Sequence, residues 1–258
     1  LAEILNIPYV KLEHKIFPDG ESYIRFSEIE KIMDNDVIIV QSLYSPQDKH
    51  IFELLLAIDA AKDFGAKNII VVAPYLAYSR QDRRFLEGEP ISVKTLLKLI
   101  KYAGADYFIT VDIHKKYSLE HFGGNAYSVT AMEEIAKHIR ENIELRNAVV
   151  LAPDKGALSH AMKVAEVLGG IEYDYLEKKR DPVTGEIKVK PKELPVKERE
   201  VIIVDDIIST GGTIALAAKS VREQGARKVI VGCTHALLVG NAREKLRKAK
   251  IDYIVATD

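Results

Sequence analysis

The residues best suited to chemistry stand at the ends of apolar runs. In "VIIVDDIISTGGTIALAA" (201–218) four apolar residues meet Asp205 and Asp206. A short loop of Ser209, Thr210, Gly211, Gly212 and Thr213 follows, and then an alanine-rich stretch. "APYLAYSRQDRRFLEGEPIS" (73–92) crowds Arg80, Arg83 and Arg84 around Gln81 and Asp82. "ITVDIHKKYS" (109–118) sets Asp112 two residues before His114, and "VVLAPDKGALSHA" (149–161) ends its run at Asp154. "YLEKKRDP" (175–182) carries Lys178, Lys179 and Arg180, and "FPDGESYIRF" (17–26) places Asp19, Gly20 and Glu21 in a turn.

The 201–218 stretch speaks most directly. A helix beginning near Gly212–Thr213 points unpaired N–H groups into the loop, and these together with the helix dipole favour a phosphate. Glycines let the backbone approach closely, and the hydroxyls of Ser209, Thr210 and Thr213 add donors. Carboxylates beside a phosphate would repel it, so Asp205 and Asp206 should face something else; a vicinal diol fits. The stretch predicts a sugar-phosphate pocket beyond the carboxyl end of a strand. A strand ending in two acids is also how a P-loop NTPase holds its metal. That fold needs G-x-x-x-x-G-K-[ST], which is absent, as is G-x-G-x-x-G.

The other groups leave alternatives open. Arginine forks suit phosphate oxygens, but 80–84 reads equally as an exposed, salt-bridged loop. Asp112 and His114, at i and i+2, share a face of an extended segment. Asp154 could cap a helix. Lys178 and Arg180 share one face of an extended segment with Lys179 opposite, or all three are a solvated run. Asp19–Glu21 could be a turn only. Histidines 14, 50, 121, 138, 160 and 235 read as structural.

Positioning these groups requires strands and helices in alternation. "DVIIVQSL", "NIIVVAPY", "DYFITVDI", "AVVLAPD", "EVIIVDD", "KVIVGCT" and "DYIVATD" are separated by amphipathic segments such as "ISVKTLLKLIKYAG". That pattern predicts an α/β fold with mostly parallel sheets flanked by helices. Residues 37–76 resemble 201–238 in order and in a shared Gly-Ala before the second strand, with about four extra loop residues in the first copy. Two tandem duplicated domains follow, 1–128 and 129–258. The second contains "KKRDPVTGEIKVKPKELPVKERE" (178–200), an exposed excursion or lid in which Thr184-Gly185 would turn a hairpin.

The 258 residues carry 37 Lys and Arg against 38 Asp and Glu, so no broad basic field serves nucleic acid. No run is long enough for a membrane span. A lone Cys233 excludes an internal disulfide and suits a cytoplasmic setting. "LAEILNIPYV" begins as the tail of a helix and "IDYIVATD" stops after a strand, so segments at both ends are expected to be missing.

"VIIVDDIISTGGT" resembles the phosphoribosyl diphosphate (PRPP) binding motif of type I phosphoribosyltransferases. "FPDGE", "SRQDRRF", "VDIH", "APDKGA" and "EKKR" resemble, in order, the motifs of ribose-phosphate diphosphokinases, especially the archaeal form. The resemblance implies transfer of the diphosphoryl group of ATP to ribose 5-phosphate with Mg²⁺ as cofactor. It implies that Phe17, Asp19, Gly20 and Glu21 hold adenine from a neighbouring subunit of a homo-oligomer. Arg80 and Gln81 would bind ATP, with Asp82 and Arg83 supporting them. His114, beside Asp112, and Asp154 would serve the Mg²⁺ site, and Lys178 and Arg180 would be catalytic. Ribose 5-phosphate would take Asp205, Asp206, Ser209, Thr210, Gly211, Gly212 and Thr213, with Arg180. Two rivals remain: a nucleobase phosphoribosyltransferase, which has no need of "SRQDRRF" and "VDIH", and a non-catalytic PRPP- or ATP-binding regulatory subunit.

Overall fold

The computed structural model describes residues 1–180, 187–189 and 194–257, with 178–180 and 187–189 described by backbone alone. The chain divides into two units, Leu1–Val129 and Thr130–Asp258. Each is built on a parallel sheet with flanking helices, as the alternation of apolar runs and amphipathic segments predicts.

In the first unit, α1 (Ala2–Leu5) precedes an antiparallel hairpin of β1 (Leu12–Ile16) and β2 (Ser22–Phe26). Then come β3 (Asp36–Val40), α2 (Gln47–Asp63), β4 (Asn68–Ala73), α3 (Ser92–Ala103), β5 (Tyr107–Val111), a 3₁₀ segment (Lys116–Phe122) and β6 (Asn125–Val129). The sheet order is β3-β4-β5-β6, all parallel, with β3 at one edge. The buried residues of α3, Val93, Leu96, Leu97 and Ile100, recur at i, i+3, i+4 and i+7, a single stripe that packs onto the core with Phe108 and Ile69.

The second unit contains α4 (Met132–Asn142), β7 (Ala148–Ala152), α5 (Leu158–Val167), β8 (Tyr173–Tyr175), β9 (Lys178–Arg180), β10 (Ile187–Val189), β11 (Glu200–Ile208), α6 (Gly212–Glu223), β12 (Lys228–Ala236), α7 (Ala242–Lys248) and β13 (Tyr253–Ala256). The parallel sheet runs β13-β12-β11-β7-β8. All five residues of β7 are buried, as a continuous apolar run on a doubly covered strand should be. Strands β9 and β10 form a separate antiparallel pair, with Arg180 opposite Ile187. The expected turn at Thr184-Gly185 lies outside the described residues. The excursion does not extend to 200, because Leu194 and Val196 are buried in the core under β11 and α6. Arg199 also bonds Glu172 at 2.6 Å and the carbonyl of Ala148 at 3.0 Å.

The sequence repeat is a structural one. The helices α2 and α6 end in matched caps: Gly65 has φ 79° and Gly225 φ 91°, left-handed values that glycine adopts without strain. Each cap returns a bond to its helix, Ala66 N–H to Ala61 O and Ala226 N–H to Val221 O, both 3.0 Å. Asp34 N–H reaches Gly65 O at 2.9 Å, and Glu198 N–H reaches Gly225 O at 2.8 Å. A carboxylate clasp also repeats: Asp106 accepts from Ile69 N–H at 2.9 Å, and Asp252 from Val229 N–H at 2.7 Å. The extra residues of the first copy fall in the helix rather than in the loop, since α2 has 17 residues against 12 in α6. Helix length was hidden because both helices continue the same apolar spacing.

Candidate functional site

Strand β11 does not stop at its acids. It pairs with β7 only from Glu200 to Ile203, but with β12 as far as Ile208. Asp205 and Asp206 therefore lie on a strand that outruns one neighbour. Each carboxylate turns back on the chain: Asp205 Oδ1 accepts from Asp206 N–H at 3.1 Å, and Asp206 Oδ1 from Ile207 N–H at 2.9 Å. Two residues beyond β7, Asp154 caps a 3₁₀ turn and accepts from Gly156 N–H at 2.9 Å. Burial first, then the charge of Asp206 and a smaller contribution from Asp154, hold the Asp205 carboxyl well above the ordinary carboxylate range.

After Ile208 the chain turns through Ser209 and Thr210 into Gly211, whose φ of 72° caps α6. A Cβ at Gly211 would lie 3.3 Å from both Ala242 O and Leu246 Cγ, so conformation and space both call for glycine. Gly212 is different: its φ is not left-handed, and the nearest atom to an added Cβ is Thr210 Oγ1 at 3.9 Å. Leu238 N–H to Ile208 O (3.0 Å), Val239 N–H to Ser209 O (3.1 Å) and Lys245 Nζ to Thr210 O (3.4 Å) brace the loop. No side chain caps α6 and no acid stands in its first turn. Its leading N–H groups thus face outward with Ser209, Thr210 and Thr213, an arrangement suited to an anion. The hard carboxylate oxygens of Asp154, just beyond β7, fit Mg²⁺, which takes few protein carboxylates and completes its shell with water and phosphate. Among the described residues no three His, Cys, Asp or Glu are grouped as a metal cage.

In the first unit the arginine loop alternates in burial. Ser79 and Asp82 are buried, while Arg80, Arg83 and Arg84 are exposed. Glu89 organises the loop, accepting from Phe85 N–H (2.8 Å), Leu86 N–H (3.1 Å) and Gln81 Nε2 (3.2 Å). Those backbone bonds keep its carboxyl below the usual range. Arg84 Nε donates to Glu89 O at 2.9 Å, and Arg83 lies over the Phe85 ring. The Tyr78 hydroxyl donates to Asp48 at 2.5 Å, and the Tyr117 hydroxyl donates to Asp82. Neither tyrosine was visible in sequence as a partner, since the acceptors lie 30 and 35 residues away.

Asp112 is buried with φ 39°, and its N–H bonds Val129 O at 2.8 Å. The chain bends there, so the extended-segment reason for placing Asp112 and His114 on one face does not hold. His114 is half-buried two residues on. The turn Phe17–Glu21 joins β1 to β2, with Gly20 at φ 97° and Asp19 Oδ1 accepting from Glu21 N–H at 3.2 Å. Phe17 and Tyr23 meet edge to face beneath Lys15. His14, read as structural, bonds Glu53 at 2.7 Å, and so does Ser22. Lys178 and Arg180 occupy the two end rungs of β9; their side chains lie outside the described residues.

Residues 124–258 match the family profile of the phosphoribosyl transferase domain, and residues 1–104 that of the N-terminal domain of ribose phosphate pyrophosphokinase. The fold and the β11–α6 loop thus define a protein of the phosphoribosyltransferase type. The chain is 48% identical over 259 residues to a ribose-phosphate pyrophosphokinase of Sulfurisphaera tokodaii, and 45% identical to one of Saccharolobus solfataricus. Both alignments cover 100% of this chain and 87% of the relative. The crystal structure of phosphoribosylpyrophosphate synthetase from Mycobacterium smegmatis superposes with a TM-score of 0.89 at 32% identity, covering 100% of this chain and 83% of that one. The chain belongs to the ribose-phosphate pyrophosphokinase family.

Proposed function

We propose that the chain transfers the β,γ-diphosphoryl group of ATP to the C1 hydroxyl of ribose 5-phosphate, giving PRPP and AMP. The C1 oxygen bonds the β-phosphorus, the bond from that phosphorus to the bridging oxygen of AMP breaks, and the proton of the C1 hydroxyl leaves to solvent. The observation that carries this reading is the full-length similarity to ribose-phosphate pyrophosphokinases, which includes the first unit. A nucleobase phosphoribosyltransferase would account for the second unit alone.

In this reading the 5-phosphate sits on Ser209–Thr213 and the ribose diol on Asp205 and Asp206. Arg80 and Gln81 bind the ATP phosphates, with Asp82 and Arg83 behind them. Phe17, Asp19, Gly20 and Glu21 hold the adenine of a neighbouring subunit in a homo-oligomer. Asp112, His114 and Asp154 serve the Mg²⁺ site; when bound, the ion neutralises the phosphate oxygens. Lys178 and Arg180 neutralise charge that builds on the transferred group. Positioning and electrostatics dominate such a transfer. No helix among the described residues is long and apolar enough to cross a membrane, and a cytoplasmic enzyme is the setting we assign.

AMP release from ATP and Mg²⁺, measured with and without ribose 5-phosphate, tests the reaction. Ribose-dependent AMP is expected, with a fall in kcat of about 10²-fold or more in Lys178→Ala, the size seen on deleting one transition-state donor. Folded protein that binds ribose 5-phosphate but releases no AMP would sink the assignment, and near-full turnover in Lys178→Ala would remove that residue's role.

A further inference from the structure

The arginine loop carries its cations outward and is anchored inward by one side chain. Asp82 sits between Gln81 and Arg83, is 7% exposed, and receives the Tyr117 hydroxyl. Tyr117 belongs to the 3₁₀ segment Lys116–Phe122, which begins two residues after His114. That segment is itself fixed: Ser118 and Phe122 are buried, Phe122 stacks near Phe108 at 5.8 Å, and the segment packs on α3. The Tyr117 ring is 48% exposed, so burial of the ring does not explain its placement. Its hydroxyl is the point at which the rigid segment grips the loop. On the other flank, Tyr78, in the left-handed region at φ 61°, donates to Asp48 on α2. Arg80 and Gln81 lie between the two phenol–carboxylate bonds.

We propose that Tyr117 is a positioning residue for nucleotide binding, holding Arg80 and Gln81 in place through Asp82. The inference rests on the ATP-binding reading of those two residues. A guanidinium recognises phosphate oxygens by a planar fork, so its value depends on the backbone that aims it. Without the phenol, Asp82 loses the donor that ties it to the 3₁₀ segment, and the loop gains freedom that ATP must then remove. The loss belongs to ATP affinity and not to ribose 5-phosphate.

The test is a set of steady-state and binding measurements on the whole chain. In Tyr117→Phe the KM for ATP should rise about fivefold to tenfold, the scale of one net hydrogen bond, with the KM for ribose 5-phosphate unchanged. Asp82→Ala should match that rise. Asp82→Asn, which still accepts from the phenol, should lose less. Tyr117→Phe combined with Asp82→Ala should lose no more than either single change. If Asp82→Ala fails to fold, Tyr117→Phe against Asp82→Asn carries the comparison. A wild-type KM for ATP in Tyr117→Phe, or equal rises for both substrates, overturns the positioning role. Calorimetry with ATP separates the two ideas: absence of binding to wild type removes the ATP reading and this inference with it. Equal binding by wild type and Tyr117→Phe removes the inference alone.

Discussion

The two copies of the strand–helix–strand repeat share their scaffolding and differ in their neighbours. β3-α2-β4 and β11-α6-β12 have the same glycine caps, the same return bonds and the same aspartate clasp on the following strand. Yet β3 is an edge strand and β11 a central one, because β7 and β8 lie on its far side. That addition brings Asp154 close enough to perturb Asp205, and the first unit has no strand that could do the same beside β3. The helix entrances differ too. α2 is preceded by Pro46 and carries Asp48 in its first turn, supplying its own negative charge to the dipole. α6 follows Gly211 with no acid in its first turn, so that charge must come from outside. The two copies offer equal frames; strand order and one helix turn leave only the second helix entrance without an acid of its own.

The comparison is most easily broken at the first rung of each strand. Glu200 is fully buried, accepts from Asn147 N–H at 2.9 Å and pairs with Arg227, whereas Asp36 is exposed and accepts from Asn68 Nδ2 at 2.6 Å. Glu200→Ala should cost about 1–3 kcal/mol by leaving the Asn147 N–H unanswered under the sheet, since Arg227 can turn to water, and Asp36→Ala about 0.5–1 kcal/mol. Urea unfolding of both variants checks the contrast; equal losses would mean that edge and centre do not matter.

A finer probe makes the second helix entrance resemble the first. Thr213→Asp puts a carboxylate in the first turn of α6 and should weaken ribose 5-phosphate binding at least about tenfold by repulsion, while Asp48→Asn should change stability by only about 0.3–1 kcal/mol. Calorimetry with ribose 5-phosphate and thermal melts read the two effects, and undiminished binding by Thr213→Asp would move the phosphate elsewhere.

The smallest expected effect concerns Asp205. Its folded pKa lies above the unfolded value of about 4. Its stabilising share is therefore present below that value and is lost as pH rises through the raised folded value. Asp205→Asn should raise the melting temperature of the ligand-free protein by about 2–4 °C at pH 8, with a smaller difference at pH 4. It should also weaken stabilisation by Mg²⁺ with ribose 5-phosphate. A lower melting temperature at pH 8 would mean that the carboxylate is stabilising as it stands.

Much of this was legible in sequence where burial was complete. The β-branched runs of β7, β11 and β12 need no context to be read, because strands covered on both faces need apolar residues throughout, and β3, β4, β5 and β13 carry similar runs although parts of them are exposed. β1 and β6, "LEHKI" and "NAYSV", lack that signal: their polar residues face outward on a hairpin and at a sheet edge. The Ser209–Thr213 loop was readable because its chemistry is local, a turn, a helix start and small hydroxylated residues. Local spacing could not reveal that β11 continues past its acids, since only β12 keeps it extended. Nor could it reveal the bend at Asp112, or the tyrosines that hold the arginine loop from distant segments.

The overrun of β11 has one more consequence. Beyond Ile203 the strand has an open side where β7 no longer offers partners. An open side of this kind invites pairing with any extended chain. There Asp205 and Asp206 each take the amide N–H of the next residue onto their own carboxylate, so that these amides are not offered to another chain. The two acids thus act as gatekeepers against self-association. Replacing both with apolar residues should make the protein prone to aggregate even while its fold survives.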